Sequence, residues 1–191
     1  MDGTVKILEV STGRELYTFA IGDGGSVPSV EFNATGTHVV ASGSTSFVAF
    51  KISTGEKTVI DPSIGWVAEY RFSADGKFMA AGGMTGIIIW DARTWKELRR
   101  IGGDVASGGR GHVAFTRDGK YVAAIDNNGQ LHFWDPATGA DVLTVGDSLR
   151  PDGPIEFTQD GRVITAGNDG MIHVFGPGGG ATFKPPEDRK K

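Results

Sequence analysis

Few residues of this 191-residue chain could bind metals or phosphate, and none has the neighbours that such chemistry needs. His132 and His173 each stand two residues before an aromatic residue, but no third ligand accompanies them, so we predict structural histidines. Asp126-Asn-Asn-Gly129 and Asn168-Asp-Gly170 resemble parts of a calcium loop without its closing Glu, which favours hairpin turns. The Gly-rich stretch 102–111 lacks the Gly-Lys-Ser/Thr ending of a phosphate-binding loop and predicts a long connection.

Composition excludes several further classes of function. The chain has no cysteine, which rules out disulfides, thiolate zinc sites and a cysteine nucleophile. Its 19 basic and 23 acidic residues are scattered and give a net charge of -4, so a basic surface for nucleic acid is not expected. No apolar run is long enough for a membrane helix or a signal peptide core. No spacing of Ser, His and Asp singles out a catalytic trio. We therefore predict no metal, no cofactor and no enzymatic activity.

The elements that could position a site are revealed by an internal repeat. A phrase of Phe, three residues and Gly recurs at intervals of 40, 43 and 42 residues, and its copies are Phe32-Asn-Ala-Thr-Gly36, Phe72-Ser-Ala-Asp-Gly76, Phe115-Thr-Arg-Asp-Gly119 and Phe157-Thr-Gln-Asp-Gly161. Each copy is followed by a short apolar run, a turn rich in Gly, Asn and Asp, and a second run that ends in an aromatic residue. In most units a Thr-Gly or similar turn and another run follow, so the unit is predicted to be a meander of four antiparallel strands.

One segment competes with this all-β interpretation. Trp95, Leu98 and Ile101 have the spacing of one face of a helix, with good helix formers between them. The other repeats place a fourth strand at this register, and we therefore favour a strand. The repeat also predicts that eight aromatic residues pack between sheets, namely Phe32, Phe72, Phe115, Phe157, Phe50, Trp90, Trp134 and Phe175.

The repeat resembles the WD-repeat β-propeller family. The resemblance rests on the period, on Trp90-Asp91 and Trp134-Asp135, and on the phrase Asp2-Gly-Thr-Val-Lys-Ile7. It implies an all-β propeller built from four-stranded antiparallel blades. Where the family has Gly-His before the first strand, this sequence has Asp61 or a Gly-Asp pair, so the family's buried hydrogen-bonded network is not expected; the pairs are Gly22-Asp23, Gly103-Asp104 and Gly146-Asp147. We expect these aspartates to cap turns.

The repeat boundaries predict about four and a half blades. They are a half blade 1–21, blades 22–61, 62–102 and 103–146, an incomplete blade 147–176, and a Gly/Pro-rich polar tail 177–191. Three arrangements fit this count. Leu16–Phe19 could complete the last blade and close a four-bladed ring, the chain could be the C-terminal part of a longer propeller, or two chains could associate through open blade edges. We favour the second.

Function is implied by the resemblance, since proteins of this family are mostly non-catalytic scaffolds that bind proteins or peptides on the loop face. Six residues before each repeat Phe the chain has Ser26, Trp66, Gly109 or Pro151, so Trp66 breaks the symmetry. A Trp on a loop can anchor a partner, although it can also pack between blades. The partner-binding residues that we predict are Trp66, Glu69, Arg110, His112 and Arg150. We expect no membrane partner and a cytoplasmic location.

Two other functions stay open. A site in the central channel of the propeller could bind or convert a small molecule, and Glu69, Arg110 and His112 would be the groups nearest to it. The chain could also be the regulatory or sensor region of a larger protein with a catalytic domain preceding it.

Overall fold

The computed structural model describes residues 3–21, 29–43, 47–60, 67–83, 86–101, 111–126, 128–145, 151–167, 170–176 and 179–183. Within these ranges every regular element is a strand, and the strands form one sheet of two strands and four sheets of four strands. We call the first sheet the half-blade and the others blades 1 to 4. The all-β propeller architecture predicted from the repeat is confirmed.

The strands follow the repeat in order along the chain. The half-blade consists of β1 (Thr4–Leu8) and β2 (Glu15–Ala20). Blade 1 consists of β3 (Val30–Phe32), β4 (His38–Ser42), β5 (Phe47–Lys51) and β6 (Lys57–Ile60). Blade 2 consists of β7 (Val67–Phe72), β8 (Phe78–Gly83), β9 (Gly86–Asp91) and β10 (Glu97–Ile101). Blade 3 consists of β11 (Val113–Phe115), β12 (Val122–Ile125), β13 (Leu131–Trp134) and β14 (Asp141–Val145). Blade 4 consists of β15 (Pro151–Phe157), β16 (Val163–Gly167), β17 (Ile172–Gly176) and β18 (Gly179–Phe183).

Each blade is an antiparallel meander in which sequence neighbours are hydrogen-bonded neighbours. In blade 2 the repeat Phe72 pairs with Met79, which in turn pairs with Trp90. The same three positions pair in the other blades, as Phe32, Val39 and Phe50, as Phe115, Val122 and Trp134, and as Phe157, Val163 and Phe175. The register is therefore common to all four blades. Below, the top of a blade is the end at which its first strand begins, and the bottom is the end at which that strand stops.

The bottom turn after each first strand is built by a side-chain network that the repeat phrase encodes. The Ser73 hydroxyl donates to Asp75 Oδ1 at 2.7 Å and accepts the N–H of Phe78 at 2.9 Å. Gly76 follows at φ +70°, a conformation that costs little only for glycine. Blades 3 and 4 repeat this arrangement with Thr116 and Thr158. These local bonds set the reversal of the chain and, with it, the pairing of the first two strands.

The largest apolar cluster lies between blades 1 and 2. Phe47 of blade 1 packs edge-on against Tyr70 and Trp90 of blade 2, with ring centroids 5.2 and 5.9 Å apart. The Tyr70 side chain is fully buried, and its hydroxyl donates to the Val40 carbonyl oxygen at 2.6 Å. Burial raises the pKa of this phenol, so it stays a hydrogen-bond donor at physiological pH. The bond ties two neighbouring blades together across their interface.

The aromatic residues predicted to pack between blades do so with one exception. Phe50, Trp90, Phe115 and Trp134 are buried, and the corresponding residues of blades 2 and 4, Phe72, Phe157 and Phe175, are partly buried. The prediction is wrong for Phe32, which is 52% exposed. Phe32 is the last residue of the first strand of blade 1. The half-blade packs against blade 1 through the side chains of β1 and β2, where Val5, Ile7 and Phe19 contact Val39, Ala41 and Phe50. The described part of the half-blade has no first strand to cover Phe32.

Strand pairing excludes one of the three arrangements that the sequence left open. β2 pairs with β1, with Val5 opposite Phe19, so Leu16–Phe19 does not complete the last blade and the closed four-bladed ring is excluded. The fourth strand of blade 4 is β18, within the segment that the sequence assigned to the tail. The segment with helical spacing, from Trp95 to Ile101, contains β10, in which Ile101 pairs with Ile87. Blade 2 thus has a fourth strand, as the other blades do. Pairing with a sheet neighbour outweighs the helix propensity of Lys, Glu and Leu, because intrinsic propensity is a weak determinant beside tertiary contacts.

Blades 2 and 3 approach each other by their backbones at the top. A Cβ on Gly82 would overlap the carbonyl oxygen of Gly111, and a Cβ on Gly111 would lie 2.7 Å from the carbonyl oxygen of Gly82. Only glycine fits at this crossing because the two backbones lie too close together to leave room for a Cβ atom. Gly111 also adopts φ +67°.

We predict that Gly82→Ala destabilises the protein far more than Gly36→Ala does. The Gly36 backbone has φ +66° but has open space around it, so alanine there pays only the conformational cost of about 1 kcal/mol. Alanine at Gly82 must separate two blades, and we expect a loss of about 3 kcal/mol, the upper range of overpacking. The measurement is the free energy of unfolding from urea titrations of both variants. Equal losses would show that the blades do not meet at this crossing.

Candidate functional site

The first strands of the blades carry charged residues on the side of the strand opposite to the repeat Phe. Counted back from the repeat Phe, the preceding position is Glu31, Arg71 or Glu156 in blades 1, 2 and 4. Two residues further back stand Glu69 in blade 2 and His112 in blade 3. Because side chains alternate along a strand, residues at these two positions share one side. We call these five residues the inner-edge cluster.

Contacts within the inner-edge cluster join three blades. His112 Nδ1 lies 2.9 Å from Glu69 Oε2, and the Arg71 guanidinium pairs with the other oxygen of Glu69. The same nitrogen of Arg71, Nη2, also lies 3.7 Å from Oε1 of Glu156 in blade 4. This bridge from blade 2 to blade 4 passes β11, where the corresponding residue is Ala114. A small residue in blade 3 thus leaves room for the long guanidinium to span the inner edge.

Glu31 is the member of the cluster with an unusual protonation state. Burial raises its pKa to about 7, and the negative charges of Glu69 and Glu156 add to this, while Arg71 opposes it. Its Oε2 atom is buried and has no hydrogen-bond partner among the described residues. Glu31 is therefore close to half protonated near neutral pH, unlike an exposed carboxyl with the ordinary value of 4.5.

The charges of the cluster do not balance. Three carboxyl groups face one guanidinium and one imidazole, so these five described residues together carry net negative charge whenever Glu31 is ionised. Such a site favours a cation that approaches it. The described residues contain no group of three metal-binding side chains, and no helix among them could span a membrane. The chemistry available here is charge recognition and proton exchange.

Two of the five partner-binding residues predicted from the sequence meet in this cluster. Glu69 and His112 come together as the 2.9 Å pair. Trp66, Arg110 and Arg150 lie outside the described residues, as do the aspartates Asp23, Asp61, Asp104 and Asp147 expected to cap turns. Sequence analysis missed Glu31, Arg71 and Glu156. Their position directly before the repeat Phe could have revealed all three. A residue next to a packed Phe must point to the opposite side of the strand, so a charged residue there marks a second, polar side.

The histidines considered as metal ligands have contacts within their own strands and turns. His132 Nδ1 lies 3.1 Å from Asp141 Oδ2 and 2.9 Å from Thr144 Oγ1, and its ring stacks on Trp134 at 5.3 Å. These partners belong to blade 3 alone. His173 is buried in blade 4 at the equivalent position. His132 thus joins the outer strands β13 and β14.

Comparisons with known proteins agree with this architecture. No protein-family model matches the chain. An uncharacterized WD repeat-containing protein of Synechocystis sp. is 27% identical over 107 residues, which are 54% of this chain and 30% of that protein.

Solved structures of WD40 proteins superpose on most of the chain. A chain of the mitotic checkpoint complex matches 95% of it with a TM-score of 0.75, and the RRP9 WD40 repeats and U3-55K each match 85% of it with TM-scores of 0.69 and 0.68. All three are 20% identical in sequence. The chain covers 57%, 52% and 53% of those chains, so it spans about half their length.

We predict that Glu31 makes stability fall as pH rises. Its pKa in the folded protein, about 7, exceeds the ordinary value of 4.5, so its contribution is complete below pH 4.5 and is lost as pH rises through 7. Glu31→Gln removes this dependence. The urea midpoint should therefore fall more between pH 5 and pH 8 for the parent than for Glu31→Gln.

Glu97→Gln is the matched control, because Glu97 is an exposed carboxylate of β10 paired with Arg100. It should follow the parent at both pH values. If Glu31→Gln also follows the parent, Glu31 titrates as an ordinary exposed carboxyl and the raised pKa is refuted.

Proposed function

We propose that this chain, a WD-repeat β-propeller by its repeats and its fold, is a non-catalytic interaction scaffold whose inner-edge cluster binds a basic side chain of a partner protein. The observation that supports the proposal is the uncompensated carboxyl group of Glu31 beside Glu69 and Glu156. The net negative charge of the cluster calls for a cation, and a Lys or Arg of a partner would supply it.

The contacts of the cluster suit binding rather than tight structural pairing. Arg71 is already shared by Glu69 and Glu156, and among the described residues no second cation pairs with Glu31. Glu156 is 67% exposed, which leaves the cluster open to solvent and to a partner. A protein assembly is also in keeping with one of the similar solved structures, which is the mitotic checkpoint complex.

Protonation of Glu31 would couple binding to pH. A cation beside the carboxylate stabilises the ionised form, so binding releases the proton that Glu31 holds near neutral pH. Affinity for a basic partner therefore rises between pH 6 and pH 8, and it falls as salt screens the charges.

The loops that lead into the first strands extend this proposed surface. Trp66, Arg110 and Arg150 are expected there by their place in the repeat, next in sequence to strands that carry the cluster. Trp66 would supply an aromatic anchor beside the charged site. Trp66→Ala would then weaken partner binding and leave the unfolding midpoint unchanged, whereas a loss of stability would place Trp66 between blades.

We predict that a fluorescein-labelled Arg/Lys-rich peptide binds the parent protein at pH 8 and that Glu31→Gln weakens binding about fivefold, the range of one partly exposed charge pair. Fluorescence anisotropy measures the dissociation constants. Glu97→Gln is the control because it makes the same change of charge on an outer strand.

A peptide of matched length with Asp and Glu in place of Arg and Lys tests the sign of the charge. Equal affinity for both peptides, or equal loss in Glu31→Gln and Glu97→Gln, would show that binding does not use the inner-edge cluster.

A catalytic or ligand-binding channel is the second candidate, and it is favoured by the pairing of His112 with Glu69 at 2.9 Å. A carboxylate that orients an imidazole is the arrangement of a general base. Turnover of a small molecule that is lost in His112→Ala would support this candidate, and a thermal-shift screen without stabilising compounds would count against it.

A further inference from the structure

We propose a second binding site, on the bottom of the molecule between blades 3 and 4, that receives a tryptophan side chain from a partner segment in which the Trp stands next to an acidic residue. The site is an apolar groove of about 1000 Å³. We call it the lower groove, and its walls include Tyr121, Leu131, Phe133, Leu143, Phe157 and Phe175. It is separate from the inner-edge cluster and does not depend on it.

The chain itself shows what fills the same position between blades 1 and 2. There the indole of Trp95 packs edge-on against His38 of blade 1 and Phe72 of blade 2, with ring centroids 5.5 and 6.2 Å apart. The pairing register equates His38 with Tyr121 and Phe72 with Phe157, and both of these line the lower groove. The lower groove is thus the equivalent of an indole site.

Trp95 occupies that position at a backbone cost. Its φ is +59°, whereas the corresponding turns of the half-blade and of blades 1 and 3 place Gly13, Gly55 and Gly139 at φ values of +70° to +77°. A bulky residue in this conformation is unfavourable, and the packing of the indole offsets the strain.

The position between blades 2 and 3 is filled in another way. Gly139 leaves space that Ile101 and Arg99 take up, since a Cβ on Gly139 would lie 3.1 Å from Ile101 and 3.3 Å from Arg99. The Arg99 guanidinium also donates to the Thr138 carbonyl oxygen at 2.7 Å. Phe78 and Ile101 pack into the same interface.

The described side chains of blade 4 leave the lower groove unfilled. At the positions of Tyr70, Met79 and Trp90 of blade 2 it has the smaller residues Ile155, Val163 and Phe175. The pairing register places Phe175 opposite Gly180 in blade 4, while in blade 2 Trp90 lies opposite Glu97. On β14, Val142 and Leu143 remain half exposed at the edge of the groove.

One rim residue indicates the charge of the occupant. Arg117 stands where blades 1 and 2 have Ala34 and Ala74, and its Nε donates to the Phe157 carbonyl oxygen at 3.2 Å. No carboxylate among the described residues pairs with it, because its neighbour Asp118 pairs with Lys120 at 3.5 Å. An unpaired guanidinium beside an apolar groove suits the face of an aromatic ring and a carboxylate adjacent to it. A Trp flanked by Asp or Glu supplies both.

The test begins with the ring alone. 5-Fluoroindole, followed by ¹⁹F NMR line broadening, should bind the parent protein, and Leu143→Asp should weaken binding at least tenfold by placing a charge in the wall. Val59→Asp is the matched control, because Val59 is likewise an exposed apolar residue of a fourth strand, in blade 1. Val142→Asp replaces Leu143→Asp if the latter does not fold. Binding that both groove variants retain overturns the site.

The second arm uses two peptides that differ only beside the Trp, one with Glu and one with Lys. The Glu peptide should bind about threefold more tightly, and Arg117→Ala should abolish the difference. Equal affinity for the two peptides overturns the acidic partner. Binding of 5-fluoroindole without binding of either peptide overturns the partner segment in favour of a free small ligand.

A third arm tests for another copy of the chain. Sedimentation velocity should give the same mass for the parent and for Leu143→Asp. A dimer of the parent that Leu143→Asp dissociates and Val59→Asp leaves intact would show that a second copy occupies the groove, and it would overturn the proposal.

Discussion

The structure depends on one constraint, the shared register in which the repeat Phe pairs with an apolar residue of the second strand and that residue pairs with an aromatic of the third. Side chains alternate along a strand, so this pairing decides which residues face the preceding blade and which point to the opposite side of the sheet. Phe72 and Tyr70 pack towards blade 1, and Arg71 between them therefore faces the inner edge beside Glu69. A slip of one residue would turn the guanidinium towards blade 1 and move the aromatic rings to the opposite face of the sheet.

Local chemistry explains why the fold could be predicted from the sequence. The turn of Ser73, Asp75 and Gly76 forms from residues within six positions, and its repetition marks every first hairpin. Longer-range features left no such trace. The contact of Arg71 with Glu156 depends on how three blades curve, the exposure of Phe32 depends on what the half-blade lacks, and β18 is rich in Gly and Ala, which have low strand propensity. The sequence pattern predicts a strand and the side to which each residue points, but it does not predict which residue of another blade lies opposite.

Both candidate surfaces arise where blades depart from the common pattern. Ala114 in place of a charged residue lets Arg71 reach across blade 3, and the smaller side chains of blade 4 leave the lower groove unfilled. The positions that follow the pattern are those that build the cores between blades. A repeat fold of this kind keeps its stability in the shared residues, and the exceptions become available for recognition without loss of the architecture.

The contact of Gly82 with Gly111 has a mechanical consequence. A joint made of two backbones has no rotatable side chains that could deform, so it transmits force with little compliance. The joint between blades 3 and 4 rests on side chains around an open volume and yields more readily. We therefore expect the tops of blades 2 and 3 to stay closely aligned, and bending to be easier between blades 3 and 4, where the lower groove lies.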